Sequence, residues 1–183
     1  MMVSMYVVFI THSCTCEYTS SYMGSGLNAS VLAGQVIDLN YLAFTNVVTV
    51  SEETTGATLD SYKYFKDALI TNLKLDDTMI SHDANVVNAD NSEGGRVTIE
   101  AYDIYNVDAS NNVTLIKCDP STGAVVSKSV IGTTDTVVVN MAYGQPSTIK
   151  ASGIYARISF NMKGLFNTNS KITKEIFIDI TKL

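Results

Sequence analysis

The stretch Gly153–Lys163, with the sequence GIYARISFNMK, decides the fold. Apolar and polar side chains alternate along it, so that one face carries Ile154, Ala156, Ile158, Phe160 and Met162 and the other carries Tyr155, Arg157, Ser159 and Asn161. This two-residue period predicts a β-strand with one buried face. A strand that is buried on one face and solvated on the other is typical of an antiparallel sheet.

The last segment, Lys171–Leu183 (KITKEIFIDITKL), repeats the pattern. Four isoleucines fall on one of its faces: Ile172, Ile176, Ile178 and Ile180. Lys174 interrupts that face, and Glu175 and Asp179 lie on the opposite one. We therefore predict a second antiparallel strand at this end of the chain.

Three further strands are predicted upstream, over Arg96–Val107, Val113–Cys118 and Ala124–Ile131. The segment Asp119–Gly123 (DPSTG) separates the last two. Its proline presets the backbone angle of a type I turn, and its glycine tolerates the left-handed position that follows. These segments together predict a three-stranded meander.

Other parts of the chain give weaker patterns. β-branched and aromatic residues favour strands over Val36–Phe44, Asn46–Ser51 and Asp135–Tyr143. One helix is predicted at about 59–75. Apolar residues recur there at spacings of three and four: Tyr62, Phe65, Leu69 and Leu73.

The N-terminal segment Met2–Thr11 (MVSMYVVFIT) is apolar but shorter than the roughly 20 residues that a membrane-spanning helix needs. Its Val, Tyr, Phe and Ile residues favour a strand, which would join the sheet of its own domain or that of a neighbouring subunit. Residues 12–34 are rich in Ser, Thr and Gly and predict an extended arm. No membrane span is expected.

The patterns together predict an all-β, mainly antiparallel protein. We expect a β-sandwich, jelly-roll-like in topology, with one short helix at about 59–75 and an extended N-terminal arm. The expected division is an N-terminal arm or strand over residues 1–34 and a β-sandwich domain over residues 35–183.

The composition narrows the class of partner. Charged residues make up 16% of the 183 residues, below the usual quarter, and the net charge is −6. Such a chain is a poor ligand for nucleic acid. Desolvation of a surface rich in Ser, Thr and Asn costs less free energy than desolvation of a charged surface. This composition therefore favours a subunit that packs against its neighbours. A secreted β-domain fits the same composition.

The three cysteines, Cys14, Cys16 and Cys118, are an odd number, so they cannot all pair within one chain. They are either free thiols in a reducing compartment or the members of a disulfide that joins Cys14 or Cys16 to Cys118, in the same or a neighbouring subunit.

The sequence contains few candidate metal-binding or catalytic residues. The loop SHDANVVNADNSEGG at 81–95 is rich in the oxygen ligands that calcium prefers, with Asp83, Asp90 and Glu93 as the candidate ligands. The same residue types also form ordinary turns. No other cofactor is expected. The chain has two histidines and no nucleophile elbow, phosphate-binding loop or dinucleotide motif, so we predict that it is not an enzyme.

The functional hypothesis is a structural, self-assembling subunit of a virus or bacteriophage particle, acting in the virion as a capsid, decoration, tail or fibre protein. Its expected partners are copies of itself and other assembly proteins. One alternative is an extracellular filament or pilus-like appendage subunit, assembled at the cell surface by strand exchange or intersubunit disulfides. A second alternative is a secreted β-sandwich module that binds carbohydrate or protein.

Overall fold

A five-stranded antiparallel β-sheet forms the centre of the protein. The computed structural model describes residues 2–82, 95–163 and 169–180, with side chains over 17–82, 95–161 and 171–180. In chain order the elements are α1 (Met2–Gly34), α2 (Leu39–Thr45), β1 (Thr54–Thr55), β2 (Thr58–Leu59), α3 (Asp60–Asn72), β3 (Val97–Val107), β4 (Asn112–Cys118), β5 (Val125–Thr133), β6 (Val138–Val139), β7 (Ser147–Thr148), β8 (Gly153–Lys163) and β9 (Asn169–Asp179). The main sheet has the order β5-β4-β3-β8-β9.

The two C-terminal strands form a long hairpin, as their alternation predicts. β8 and β9 pair without a break, from Gly153 with Asp179 to Lys163 with Asn169. The side chains of Ile154, Ala156 and Ile158 are fully buried on one face of the sheet. The predicted meander is also confirmed, because β3, β4 and β5 are neighbours and pair antiparallel.

The turn between β4 and β5 forms as its residues predict. Gly123 has φ +71° and donates its N–H to the carbonyl of Asp119. An Asp119 carboxylate oxygen accepts hydrogen bonds from the backbone N–H groups of Ser121 and Thr122, at 2.8 and 3.0 Å. The aspartate thus satisfies the backbone donors of the turn and fixes the register of the hairpin.

The predicted helix at 59–75 is confirmed as α3, which packs on one face of the sheet. All four periodic apolar residues that predicted it are buried: Tyr62, Phe65 and Leu69 within α3, and Leu73 at its C-cap. The rings of Tyr62 and Phe65 pack against Tyr102 of β3, with centroids 5.3 and 4.8 Å away. Burial of this apolar stripe, more than helix propensity, holds α3 in place.

The N-terminal segment is helical, so the predictions of a strand at Met2–Thr11 and of an extended arm over 12–34 are wrong. α1 runs from Met2 to Gly34 and packs beside α3 on the same face of the sheet. Met23, Leu27 and Val31 recur every four residues and have at most 1% of their surface exposed. This tertiary burial outweighs the weak helix propensity of the Ser, Thr and Gly residues around them.

The strand predicted over Val36–Phe44 is also wrong, because most of this segment forms the short helix α2. The Asp38 side chain accepts a hydrogen bond from the N–H of Tyr41 and caps the helix start. Asn46 takes the left-handed conformation at φ 57° and donates its N–H to the carbonyl of Leu42, which ends the helix. These are the cap residues that helices favour.

The segments at 46–51 and 135–143 form less strand than predicted. Val50 makes a single bridge with Ile37, and its N–H and carbonyl are both bonded by the Asn106 side chain, at 2.8 and 3.0 Å. In Asp135–Tyr143, Val138–Val139 pairs as β6 with β7. The Asn106 amide thus makes with the Val50 backbone the two hydrogen bonds that a neighbouring strand would make.

The mainly β class is confirmed, but a sandwich or jelly roll is not. Over the described ranges the protein is one main sheet with two helices on one face. The opposite face is covered at one end by a small cluster in which Val137, Val139 and Ile149 pack near Tyr105 and Tyr155. A cleft lined by residues of β3, β4 and β8 lies on the same face. The division of the chain at residue 34 stays a prediction.

Candidate functional site

The first candidate is the part of α1 that reaches past α3. The two helices are antiparallel: Ser61, in the first turn of α3, donates its hydroxyl to the carbonyl of Gly34, and Tyr22 donates its hydroxyl to the carbonyl of Asn72 at the other end of α3. Residues 22–34 of α1 therefore match the whole length of α3.

The earlier part of α1 continues beyond this contact. At a rise of about 1.5 Å per residue, the 20 helical residues from Met2 to Ser21 add about 30 Å of helix past the end of α3. Residues 1–16 contain no Lys, Arg, Asp or Glu; the first such residue is Glu17. No helix within the described ranges has the length and hydropathy that a membrane crossing requires.

The outer face of α1 is neutral where its side chains are described. Between Glu17 and Asp38 the sequence has no charged residue. Tyr18 and Leu32 expose 55% and 51% of their surface on this face. An exposed helix face normally carries charged residues. Because this face carries none between Glu17 and Asp38, its desolvation costs less free energy.

The second candidate is a cleft of about 500 Å³ on the face of the sheet opposite the helices. Alternate residues of β3, β4 and β8 form its floor, and their side chains stand on this face because successive residues of a strand point to opposite sides. The polar and aromatic members of the floor are Asp103, Tyr105, Lys117, Tyr155 and Arg157. Pro120, Val126 and Asn140 also line the cleft.

A network of charges borders this cleft on one side. Arg157 Nε lies 3.0 Å from one carboxylate oxygen of Glu100, and Lys171 Nζ lies 2.5 Å from the other. The hydrogen bond from Lys171 lowers the pKa of Glu100. The geometry of the Arg157 contact is that of an ion pair without a hydrogen bond, since Nε has no hydrogen-bond partner over the described ranges.

A second acidic group is held on the other side of Arg157. Tyr155 donates its hydroxyl to one Glu175 oxygen at 2.8 Å, and the N–H of Tyr143 donates to the other at 2.5 Å. Burial by itself would raise the pKa of Glu175, but these hydrogen bonds outweigh it and the pKa is lowered. Burial raises the pKa of Tyr155 to about 12, so its hydroxyl remains a donor at neutral pH.

Asp103 differs from both glutamates. It stands on the floor of the cleft, beside Lys117 and Tyr155 in the strand register. Its carboxylate is half-buried and makes no hydrogen bond or ion pair with any residue that the structure describes. Burial raises its pKa, and the charges of Lys117 and Arg157 offset that only in part. Its oxygens are not among the buried atoms that lack a hydrogen-bond partner, so they remain accessible to water.

The residues predicted to bind calcium, Asp83, Asp90 and Glu93, lie outside the described residues, and calcium binding stays a prediction. Among the described residues there is no group of three or more His, Cys, Asp or Glu side chains that could hold a metal ion.

The predicted cysteine pairing is not seen at Cys118. This thiol is free and buried, and burial raises its pKa to about 12. A thiol with such a pKa is unreactive at neutral pH. The backbone of Cys14 and Cys16 lies in α1, but their side chains are outside the described set. A disulfide that joins Cys14 or Cys16 to Cys118 of the same or a neighbouring subunit therefore stays a prediction.

Sequence reasoning missed both candidate sites in part. The four-residue spacing of Met23, Leu27 and Val31 is a helical signal that could have identified α1. The polar cleft has no comparable signal, because Asp103, Lys117 and Arg157 are brought together by strand order and not by spacing in the chain.

Comparisons with family models, with curated proteins and with solved structures find no match for this chain.

Proposed function

We propose that this protein is a structural, self-assembling subunit, and that it builds a filament in which the first half of α1 packs against the same helix of neighbouring copies. The observation that carries the proposal is the length of α1, which continues beyond the end of α3. Residues 22–34 suffice to cover α3, and beyond it α1 includes about 23 Å of charge-free, largely apolar helix over residues 2–16.

An apolar helix of this length is costly to leave in water, at about 25 cal/mol for each Å² of apolar surface. Packing the helix against identical helices removes that cost without burying a charge. A contact between different faces of identical subunits repeats without limit unless its rotation closes, so it generates filaments. The sheet would then lie on the outside of the filament.

The proposed mode of assembly is helix packing and not strand exchange. Because residues 2–34 are helical, the N-terminal segment has no free strand edge to donate to a neighbour. Helix packing replaces strand exchange in the proposal.

A virion subunit is the second candidate, and the outer strand β5 favours it. β5 lies at the edge of the sheet and exposes Val125, Val126, Val130 and Ile131. Its lysine, Lys128, is paired with Glu52 of the same chain. Apolar side chains at a sheet edge suit lateral contacts in a shell or a fibre.

The filament proposal is tested with Val8→Lys in the full chain. A lysine in the packed helix must lose its hydration at the contact, so we expect the concentration needed for assembly to rise at least about 10-fold. Asn40→Lys, an exposed position on α2, is the matched control and should assemble normally. Sedimentation velocity and negative-stain microscopy measure the result. A wild-type chain that stays monomeric at high concentration contradicts the proposal.

A further inference from the structure

β5 is an edge of the main sheet, with β4 on one side and no strand of the described ranges along the other. The hairpin formed by β1 and β2 reaches this edge only at Ala124, which bridges Thr58 just before β5 begins. The opposite edge of the sheet differs, because β9 packs against α1 and Gln35 donates its side-chain amide to the carbonyl of Ile178. The outer N–H and C=O groups of β5 are therefore a template for one more strand.

The side chains of β5 are apolar and exposed to an extent that is unusual for a sheet edge. Four of them are at least 41% exposed: Val125, Val126, Val130 and Ile131. The one charged residue of the strand is Lys128, and a lysine commonly protects an edge by opposing a second strand. Here Lys128 is paired with Glu52 of its own chain, so much of that protection is neutralised.

The sequence of the strand indicates which partner fits. Its five central residues, VSKSV, read the same in both directions. In an antiparallel pair of two copies centred on Lys128, each Val126 lies opposite Val130 of the other copy. Each Ser127 likewise lies opposite Ser129 of the other copy. Valine then packs on valine and the two hydroxyls are within reach of each other, and cross-strand pairs of this kind stabilise a sheet.

The charges at the centre of this pair are balanced. The two Lys128 side chains lie opposite each other, and like charges in that arrangement destabilise a sheet. Each lysine, however, is accompanied by Glu52 of its own chain. The two-fold axis therefore brings together two positive and two negative side chains, whose charges sum to zero.

We propose that β5 pairs antiparallel with β5 of a second copy, about a two-fold axis at Lys128, so that the two main sheets become one. The pairing with β4 shifts register on either side of Ser127–Val130, so the regular part of β5 is short. We therefore expect the contact to have the affinity of a small, transient interface. It does not use α1. If α1 builds a filament of subunits that all point one way, this two-fold contact joins two filaments that run in opposite directions.

Disulfide cross-linking tests both the contact and its register. Ser127→Cys and Ser129→Cys are made separately in the full chain that also carries Cys14→Ser, Cys16→Ser and Val8→Lys, which remove the thiols and the proposed packing of α1. Directly opposite residues have Cα atoms about 4.5–5.5 Å apart, which a disulfide spans. Two copies of Ser127 are diagonal neighbours at about 7–8 Å, which is beyond that span. A mixture of the two variants should therefore form disulfide dimers at least about 10-fold faster than either variant alone.

Val130→Lys in both chains places a lysine opposite Val126 and should slow the cross-linking at least about 10-fold, because the added charge must be desolvated. Thr71→Lys, at an exposed position of α3, adds the same charge away from the edge and should leave the rate unchanged. Thermal unfolding shows whether each variant is folded.

Three outcomes overturn the proposal: the mixture forms no cross-link, either cysteine variant alone reacts as fast as the mixture, or folded Val130→Lys reacts as fast as Thr71→Lys. Filament formation is measured separately on the wild-type chain, so its failure does not affect this result.

Discussion

Individual core positions show how much the spacing of apolar residues can reveal. The four periodic residues of α3 were predicted from the sequence, and all are buried. The buried polar partners were not predictable. Ser61 donates to the carbonyl of Gly34 and lies 2.6 Å from the Tyr102 hydroxyl, yet these three residues are far apart in the chain. Their meeting depends on the packing of α1, which the sequence pattern did not indicate.

Phe65 gives a prediction at this scale. It is fully buried between Tyr62 and Tyr102. Phe65→Ala should lower the free energy of unfolding by about 3–5 kcal/mol, through lost burial and the cavity that remains. Tyr64→Ala, at the neighbouring and 54% exposed position, should change it by less than about 0.5 kcal/mol. Urea unfolding measures both, and equal effects would show that α3 does not pack as described.

Among the elements, the strands were predicted better than the helices. β3, β4, β5, β8 and β9 each have a clear two-residue alternation or a turn with identifiable residues at its end. α1 was missed because Val, Tyr, Phe and Ile in its first turns favour strands and the rest is rich in Ser, Thr and Gly. Its helical state is set by long-range contacts with α3, β8 and β9, which local propensity does not report.

The close approach of α1 and α3 gives a prediction for two glycines of one helix. A Cβ at Gly34 would lie 2.7 Å from the Tyr102 hydroxyl and 3.2 Å from the carbonyl oxygen of Ser61, whereas one at Gly24 meets nothing within 4 Å. Gly34→Ala should therefore destabilise the protein by about 1–3 kcal/mol. Gly24→Ala should stabilise it by up to about 1 kcal/mol, because alanine favours the helix.

Thermal and urea unfolding of the two variants measure this difference. If Gly34→Ala were as stable as Gly24→Ala, the contact between the two helices would be looser than the structure shows.

For the molecule as a whole, the carboxylates decide how stability depends on pH. Hydrogen bonds to the native carboxylate lower the pKa of Asp76, Asp108 and Asp119, each within a local turn. Glu100 and Glu175 are lowered as well. These groups bind protons more weakly in the folded than in the unfolded chain, so their contribution is present above the unfolded pKa of about 4 and is lost as the pH falls below it.

We therefore expect the free energy of unfolding, measured with urea, to fall steadily between pH 6 and pH 3. Asp103 has a raised pKa and therefore changes the pH dependence in the opposite direction. It is a single group, whereas five carboxylates have a lowered pKa. Asp119→Asn, which removes one of the five, should give a shallower dependence than the wild type. A stability that is constant or rises towards pH 3 would contradict these assignments.

The position of α1 before the sheet in the chain has a consequence for biosynthesis. Met23, Leu27 and Val31 share a core with Ile172, Ile176 and Ile178, which are made about 140 residues later. At roughly 5–20 residues per second, the ribosome needs about 7–28 seconds to supply that partner surface. During this interval the nascent helix cannot bury its apolar stripe in its own sheet. Until then, α3 is the partner within its own chain that the nascent helix can reach.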